Sequence, residues 1–290
     1  MIKKVGLAGY GYWGSKLARC FNELGVLRVI YDFNMVPREK ARVNYPHVDV
    51  RPTYEGIDFE GVDAVVVATP PETHFQVAKK VLEAGLDVFI EKPMTTSHND
   101  AIHLAEIARN KGCNLMVGHI YLHNSGIKAM PVPVGQAELY VQLLNEGGGP
   151  SESTREVIWA GLPHACSLAL HFFPDQPEEI EVKRTRDRIQ VGLYYWNGSV
   201  ALLDVGDYTD RQLRRVELRQ GDTRYLFDVK DPTLCTIASG IFEKGRWESS
   251  PHVEPLMAEC MEFLNYKGVD PLGPKVVKLI EEIRDAKGES

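Results

Sequence analysis

The sequence contains no apolar run that approaches the roughly 20 residues a membrane-spanning helix requires. The amino-terminal residues Met1-Ile2-Lys3-Lys4 lead straight into a segment with the character of a buried strand, so no targeting segment is predicted. We therefore expect a cytoplasmic protein that does not act at a membrane.

Cysteine is scarce, and its spacing suggests no pairing. The chain has five cysteines, an odd number, and none of them forms a CxxC pair. Most lie in apolar segments, which predicts buried thiols rather than disulfides, a metal site or a nucleophile; they are Cys20, Cys113, Cys166, Cys235 and Cys260. The nine histidines show no HExxH spacing, and we predict no metal.

Basic residues form no stripe that would follow a phosphate backbone. The net charge is -7 and the pI is near 5.8, which argues against nucleic acid as a partner. The remaining composition, with 25% charged and 44% hydrophobic residues, is that of an ordinary globular protein. A length of 290 residues is sufficient for two domains that each bury a core.

A glycine-rich turn near the amino terminus is the most informative feature present. Residues 9–14 read Gly-Tyr-Gly-Tyr-Trp-Gly, between the apolar run Val5–Ala8 and a segment with helical apolar spacing. In a dinucleotide site the first glycine allows a tight turn, the second admits the pyrophosphate and the third lets the helix pack closely. We therefore assign a cofactor-binding role to Gly9, Gly11, Tyr12, Trp13 and Gly14.

An acidic residue ends the second predicted strand. Val26–Tyr31 is mostly apolar and Asp32 follows it, about 20 residues beyond the turn, where a ribose-binding acid is expected. Such a carboxylate repels a 2′-phosphate, so we predict NAD as the cofactor and NADP as the less favoured one, although Arg38 is close in sequence. The residues leave two alternatives open: a glycine turn that only packs two elements, and an aspartate that caps a loop.

Strand and helix patterns alternate up to about residue 118. Further strands are predicted at Val62–Ala68, Val88–Ile90 and Asn114–Gly118, with helices at Glu72–Leu82 and Asn99–Arg109. Almost continuously apolar strands are typical of a sheet covered on both faces. We predict an α/β domain over residues 1–120 with a doubly wound parallel sheet of the Rossmann type.

The second half of the chain has a different pattern. Strands follow one another, with turn signals at Asn197-Gly198 and Gly221-Asp222, which predicts a mostly antiparallel open sheet in an α+β domain over residues 121–290. The predicted strands are Ala137–Leu144, Ile180–Arg186, Ile189–Trp196, Val200–Val205, Val216–Gln220 and Arg224–Val229. The predicted helices are Leu162–Phe172, Glu254–Tyr266 and Lys275–Ala286, of which the last two can pack back on the first domain.

Two motifs follow the third and fourth predicted strands. Residues 68–74 read Ala-Thr-Pro-Pro-Glu-Thr-His, and Glu91-Lys92-Pro93 follows Val88–Ile90. With the glycine turn, they closely resemble the Gfo/Idh/MocA family of NAD(P)-dependent oxidoreductases, whose signature is Glu-Lys-Pro at the end of a strand. The resemblance covers the whole chain and implies a nucleotide domain followed by a substrate domain. It places these residues at or beside the cofactor: Thr69, Pro70, Pro71, His74 and Glu91.

Lys92 is the first candidate catalytic residue. Ligands of a doubly wound sheet gather at the carboxyl ends of its strands, and the proline after Lys92 restricts the direction of its side chain. A partly desolvated ammonium can donate to an alcohol oxygen or exchange a proton, although a strand-end lysine can also be only a surface residue. The resemblance implies that Lys92 binds the substrate hydroxyl, while Glu91 and His74 support that region or cap it locally.

His164 is the second candidate. It matches a family histidine that follows an aspartate by four residues at the start of a helix, and histidine suits proton exchange near neutral pH. The acid position here holds Ala160, and Ala165 stands beside the histidine where relatives often have an acid. A missing carboxylate removes one source of orientation and of raised pKa. The alternative is a helix-start histidine in a degenerate site.

Polar residues after the last strand of the first domain are weaker candidates. We expect His119, Tyr121, His123 and Asn124 to line the substrate site, although a solvated connection explains them as well. Arg155 and the stretch Ser151-Glu152-Ser153 are weaker still.

These observations predict an NAD-dependent dehydrogenase that acts on a secondary alcohol or ketone of a sugar, sugar nucleotide or cyclitol. Two alternatives stay open: a nucleotide-binding sensor or partner protein without turnover, and an enzyme for a non-sugar substrate. Strand Ile189–Trp196 and the neighbouring Val200–Leu203 are apolar on both faces. We therefore expect a homodimer or homotetramer formed through the sheet, unless the C-terminal helices cover that face.

Overall fold

The computed structural model describes residues 3–52, 59, 61–146, 154–185, 187–209, 212–228, 234–238, 241–245 and 253–286. The chain divides into two compact units. The first comprises Met1–His119 and Glu254–Val277, and the second comprises Ile120–Val253 and Lys278–Ser290. The candidate stretch Ser151-Glu152-Ser153 lies outside the described residues, as do the side chains of Arg155 and Cys235.

The first unit is built on a parallel sheet of six strands in the order β3-β2-β1-β4-β5-β6. The strands are β1 (Val5–Ala8), β2 (Leu27–Tyr31), β3 (Asp49–Arg51), β4 (Ala64–Val67), β5 (Asp87–Ile90) and β6 (Leu115–Val117). Every residue of β1 and β4 is buried, because both are small or apolar throughout and helices cover both faces of the sheet. The predicted Rossmann-type sheet is confirmed, with the strand order of a dinucleotide-binding fold.

Eight α-helices are described across the two units. They are α1 (Tyr12–Glu23), α2 (Met35–Asn44), α3 (His74–Glu83), α4 (His98–Lys111), α5 (Ser125–Ala129), α6 (Thr154–Phe172), α7 (Pro255–Asn265) and α8 (Leu272–Asp285). The sequence did not predict α2, because Ala41 is its sole buried residue and a helix with so little apolar surface has no clear periodicity.

The second unit contains a sheet of eight strands in the order β14-β13-β12-β11-β7-β10-β9-β8. The prediction of a mostly antiparallel sheet is confirmed, with β7 and β10 forming a parallel pair in its middle. The strands are β7 (Glu138–Glu146), β8 (Glu179–Arg184), β9 (Arg188–Tyr194), β10 (Val200–Thr209), β11 (Leu213–Gln220), β12 (Thr223–Asp228), β13 (Leu234–Ala238) and β14 (Ile241–Gly245). Both predicted turns join antiparallel neighbours, β9 to β10 and β11 to β12.

Helix α6 differs from its prediction. It begins at Thr154 and not near Leu162, so Pro163 and His164 lie within the helix and not at its start. The proline misled the prediction because proline is most common in the first turn of a helix. Packing explains the glycine at position 161. Helix α6 lies so close to the sheet there that a Cβ would collide with Val205 of β10.

The two faces of the second sheet differ in character. The inner face packs against α6 and is apolar, with buried residues such as Leu139, Val191, Leu203 and Leu218. The outer face is mainly polar, which contradicts the expectation of a second apolar face. It bounds a depression of about 860 Å³ whose lining includes Tyr140, Gln142, Gln190, Tyr194, Asp204, Arg215, Glu217, Arg219 and Arg224. The prediction failed because only the centre of this face, around Leu202, is apolar.

Candidate active site

The three glycines of the amino-terminal turn have different surroundings. Gly9 has a φ of +93°, and a Cβ there would lie 2.5 Å from the carbonyl oxygen of Ala68. A Cβ on Gly14 would collide with the carbonyl oxygen of Gly9, whereas a Cβ on Gly11 would meet nothing within 4 Å. Helix α1 starts at Tyr12 without a side-chain cap, so its first N–H groups face the open space at Gly11. This cradle fits the pyrophosphate of a dinucleotide.

Asp32 is buried at the carboxyl end of β2. Its Oδ2 accepts a hydrogen bond from the backbone N–H of Tyr10 at 2.7 Å, and its Oδ1 accepts one from Asn34 N–H at 2.8 Å. The carboxylate therefore caps the adjoining loops, and it retains lone pairs that can accept from a ribose. Arg38 Nη1 donates to the carbonyl oxygens of Asp32 and Phe33 at 3.0 and 2.6 Å, which places a guanidinium beside the same loop.

The motif after β4 forms a turn around Thr69. Thr73 Oγ1 donates to the hydroxyl of Thr69 at 2.7 Å, and Pro70 and Pro71 lead into α3. His74 is 1% exposed, and its two ring nitrogens contact the carbonyl oxygens of Pro93 and Thr69 at 2.8 Å each. Both ring nitrogens are thus in contact with main-chain oxygen atoms of the protein itself.

Glu91 and Lys92 lie directly after β5. The carboxylate of Glu91 accepts hydrogen bonds from the indole N–H of Trp13 and, at 3.2 Å, from the backbone N–H of Lys92. Burial raises the pKa of Glu91 to about 7, although Lys92 and Trp13 act in the opposite direction. Burial also lowers the pKa of Lys92, and Glu91 offsets part of that effect. The Glu-Lys-Pro segment is therefore tied to the glycine turn through Trp13.

A buried carboxyl group that the sequence reasoning missed lies on α7. Glu259 is fully buried; burial together with Glu91 raises its pKa, and the backbone of His119 acts in the opposite direction. The feature of the sequence that could have revealed Glu259 is its helical spacing. It lies on the same buried face of α7 as Leu256, Cys260 and Phe263.

His119 itself is buried after β6, and within the described part of the chain neither of its ring nitrogens has a hydrogen-bond partner. Burial lowers its pKa.

In the second unit the structure brings Tyr121 and His164 together. Their ring centroids lie 4.9 Å apart with an interplanar angle of 57°. Burial raises the pKa of Tyr121, and Arg214, which the sequence did not single out, acts in the opposite direction. The tyrosine ring therefore restricts the orientation of His164. Ala160 is exposed on the same helix.

The other candidate residues of this unit cap a helix or are buried. The side chain of Asn124 accepts a hydrogen bond from Gly126 N–H at 3.1 Å and so caps α5. His123 and Ala165 are both buried. No group of three His, Cys, Asp or Glu residues that could hold a metal occurs among the described residues. None of the described helices is long and apolar enough to cross a membrane.

Comparison with known proteins decides the family. The sequence model of the oxidoreductase family with an NAD-binding Rossmann fold, Gfo/Idh/MocA, matches residues 3–119. The UDP-N-acetylglucosamine 3-dehydrogenase of Acidithiobacillus ferrooxidans is 31% identical over 284 residues, which cover 90% of this chain and 88% of that protein. The chain belongs to the Gfo/Idh/MocA oxidoreductase family.

Another relative is matched over less of its length. An uncharacterized oxidoreductase of Streptococcus pneumoniae is 29% identical over 197 residues, which are 66% of this chain and 47% of that protein. The chain therefore spans about half the length of that relative.

Solved structures share the fold. The A. ferrooxidans enzyme superposes with a TM-score of 0.89 at 22% identity, covering 98% of this chain and 97% of that chain. A levoglucosan dehydrogenase in complex with NADH gives 0.83 at 13% identity, with 98% and 96% covered. A biliverdin reductase from Synechocystis sp. PCC 6803, in complex with biliverdin and NADP+, gives 0.79 at 19% identity, with 97% and 98% covered.

Proposed function

We propose that this Gfo/Idh/MocA protein is an NAD-dependent dehydrogenase that acts on a secondary alcohol or ketone of a sugar, sugar nucleotide or cyclitol. The observation that carries the proposal is the partly buried Lys92 at the carboxyl end of β5, in the same compact unit as the open cradle at Gly11. The A. ferrooxidans relative supports a sugar-nucleotide substrate, and the levoglucosan dehydrogenase supports the wider sugar class.

The proposed chemistry uses Lys92 and His164 as the acid–base residues. When an alcohol is oxidised, one of them holds the hydroxyl oxygen and the other accepts its proton. The lowered pKa of Lys92 makes its amine a better proton acceptor near neutral pH than an exposed lysine. Bound NAD supplies the hydride acceptor. His119, Tyr121 and Asn124 are the other proposed substrate contacts.

NAD is the proposed cofactor, with NADP less favoured. Asp32 places negative charge at the end of β2, where a 2′-phosphate would have to lie. Arg38 works in the other direction, because its guanidinium is bound at the carbonyl oxygens of Asp32 and Phe33. Gly9, Gly11, Tyr12, Trp13 and Gly14 would bind the pyrophosphate, with Thr69, Pro70 and Pro71 beside it.

Two other functions are favoured by one observation each. Ala160 and Ala165 replace expected acids, which favours a nucleotide-binding sensor or partner protein without turnover. The absent acid at 160 also favours a family member that acts on a non-sugar substrate, because sugar hydroxyls need hydrogen-bond partners.

Assembly as a homodimer, or as a tetramer of dimers, is proposed through the outer face of the second sheet. Glu217 on this face is surrounded by Arg215, Arg219 and Arg224, with its carboxylate accepting at 3.2, 2.6 and 2.7 Å. Glu181 lies on the same face at the β8 side, where it accepts from Tyr194 at 2.7 Å. A two-fold axis through the centre of the sheet would set the basic side of one copy against the acidic side of the other.

Light scattering tests the proposed assembly. We expect a mass that is two or four times 32.6 kDa, and Arg224→Glu should lower it because it reverses charge on the basic side. A wild-type mass equal to that of a single chain would refute the interface.

The proposed compartment is the cytoplasm. Cys20, Cys113, Cys166 and Cys260 are buried free thiols, which is typical of a reducing compartment.

The test of function is NADH formation. Purified protein is incubated with NAD or NADP and with UDP-N-acetylglucosamine, levoglucosan, free sugars and cyclitols, and NADH absorbance is followed. Turnover with a sugar-type alcohol supports the proposal. Cofactor binding without turnover on the whole panel would favour the sensor, and turnover restricted to non-sugar alcohols would favour the third function.

A further inference from the structure

The side chain of His74 joins two strand ends of the first unit. Nδ1 lies 2.8 Å from the carbonyl oxygen of Pro93, and Nε2 lies 2.8 Å from the carbonyl oxygen of Thr69. Thr69 follows β4 and Pro93 follows β5, and these strands are paired in parallel. The imidazole therefore bridges the segment that carries Lys92 to the turn beside it.

Both partners of the His74 ring are acceptors. A carbonyl oxygen cannot donate, and a neutral imidazole carries one N–H. A neutral ring can therefore make one of the two hydrogen bonds, and a doubly protonated ring can make both. Burial lowers the pKa of His74, while the bonds to Pro93 and Thr69 act in the opposite direction.

Two charged groups also act on this ring. The carboxylate of Glu72, in the turn before α3, raises the pKa of His74, and the ammonium of Lys92 lowers it. Electrostatic coupling is mutual, so Lys92 and His74 respond to each other's charge. At 1% exposure the ring is enclosed, and an effect on chemistry must pass through its neighbours.

We propose that His74 is a positioning residue for Lys92, which fixes the Pro93 carbonyl against the Thr69 turn and so sets the direction in which Lys92 projects. The proposal rests on the proposed function, in which Lys92 meets the substrate hydroxyl. A displacement of about 1 Å in a reacting group can cost on the order of 10²-fold in rate. Loss of the bridge should therefore reduce turnover without removing the cofactor site.

The first experiment needs no substrate. Imidazole signals of His74 are followed by NMR in protein with 15N-labelled histidine, with and without Lys92→Met. We expect a ring N–H protected from solvent exchange, and a higher pKa of His74 in the variant because a like charge is gone. Lys80→Met, at an exposed lysine of the same helix, is the control and should leave the titration unchanged. A rapidly exchanging ring that is indifferent to Lys92→Met would overturn the proposal.

The second experiment measures turnover. His74→Gln keeps N–H donors for the carbonyl oxygens but loses the rigid ring that spans Pro93 and Thr69, whereas an apolar replacement would leave both oxygens without a donor. We expect kcat to fall roughly 10- to 100-fold, with the Kd for NAD changed less than threefold and Tm within a few degrees. His103→Gln, at an exposed histidine of α4, should keep the wild-type rate.

A double-mutant cycle separates positioning from a general structural effect. On the residual activity of Lys92→Arg, His74→Gln should cause little further loss, because both changes act on the same group. Losses that multiply, or an unchanged kcat in the single variant, would contradict the proposal. If wild-type protein shows no turnover, the proposed function fails, and the Lys92-dependent titration still decides whether the two residues are linked.

Discussion

The two units of the molecule present their candidate residues in different ways. In the first unit the candidates lie on main-chain features, at strand ends and at one glycine turn, where a local motif sets their positions. In the second unit they are side chains brought together from distant segments, such as Tyr121 against His164. The candidates of the first unit can therefore be located from short motifs, whereas those of the second unit depend on packing that no motif encodes.

Replacement of Lys92 should have the largest effect, and it separates the proposed chemistry from cofactor binding most clearly. Lys92→Ala removes the ammonium assigned to the substrate, so turnover should be abolished while NAD affinity stays within a few-fold. Stopped-flow rates and fluorescence titration with NAD measure the two quantities. Lys80→Ala, at an exposed lysine of α3, is the matched control. A wild-type rate in Lys92→Ala would remove the catalytic assignment.

Replacement of His164 should have the next largest effect. His164→Ala should lower kcat by about 10²–10⁴-fold, which is typical for a lost acid–base group. Tyr121→Ala should give a smaller loss, because its ring orients His164 at a centroid distance of 4.9 Å. His171→Ala on the same helix is the control. An effect of His164→Ala confined to Tm would mean that the histidine is structural.

Cofactor preference should respond to the pair Asp32 and Arg38. We expect wild-type protein to bind NAD at least about tenfold more tightly than NADP, a difference of roughly 1.4 kcal/mol. Asp32→Ser should narrow this ratio, because Arg38 then meets a 2′-phosphate without the competing carboxylate. Calorimetric titration with both cofactors measures it. Equal affinities in the wild type would show that Asp32 serves only as a loop cap.

Glu259 should affect stability with a defined pH dependence. The folded-state pKa values of Glu259 and Glu91 are raised, Glu91 from 4.5 to about 7. The unfolded state therefore releases protons first, and stability declines as the pH rises from about 4.5 to beyond 7.

Glu259→Gln should thus raise Tm at pH 8 and leave it nearly unchanged at pH 4.5. The expected gain is about 2–4 °C for each kcal/mol recovered. Differential scanning calorimetry measures it, with Glu106→Gln at an exposed position of α4 as the control. A gain that is independent of pH would mean that folding does not raise the pKa of Glu259.

The fold was predictable where the apolar pattern of the sequence matches the burial that the structure imposes. β1, β4 and β5 are short apolar runs in a covered parallel sheet, and α1 carries a strong apolar stripe through Leu17 and Phe21. Prediction failed where burial is sparse, as in α2, and where a local signal was overridden, as at Pro163 inside α6. The outer face of the second sheet was misjudged because charged residues of β11 and β12 join it from distant parts of the chain.

Part of the candidate site was equally predictable. The glycine turn and the Glu-Lys-Pro segment could be located because each needs particular residues at fixed positions. The contacts of Glu91 with Trp13, the bridge made by His74 and the buried Glu259 could not, since each joins elements that are far apart in sequence. Sequence thus located the strand ends but not the side chains that hold them together.

The central claim is that the open cradle at Gly11 binds NAD. Gly11 has an ordinary φ of -76°, and a Cβ there would meet nothing within 4 Å, so Gly11→Leu should fold normally and fill the cradle with its side chain. Calorimetric titration with NAD, with Tm measured on the same sample, tests this directly. We predict an unchanged Tm and at least about a tenfold loss of NAD affinity. An affinity equal to that of wild-type protein would contradict the claim.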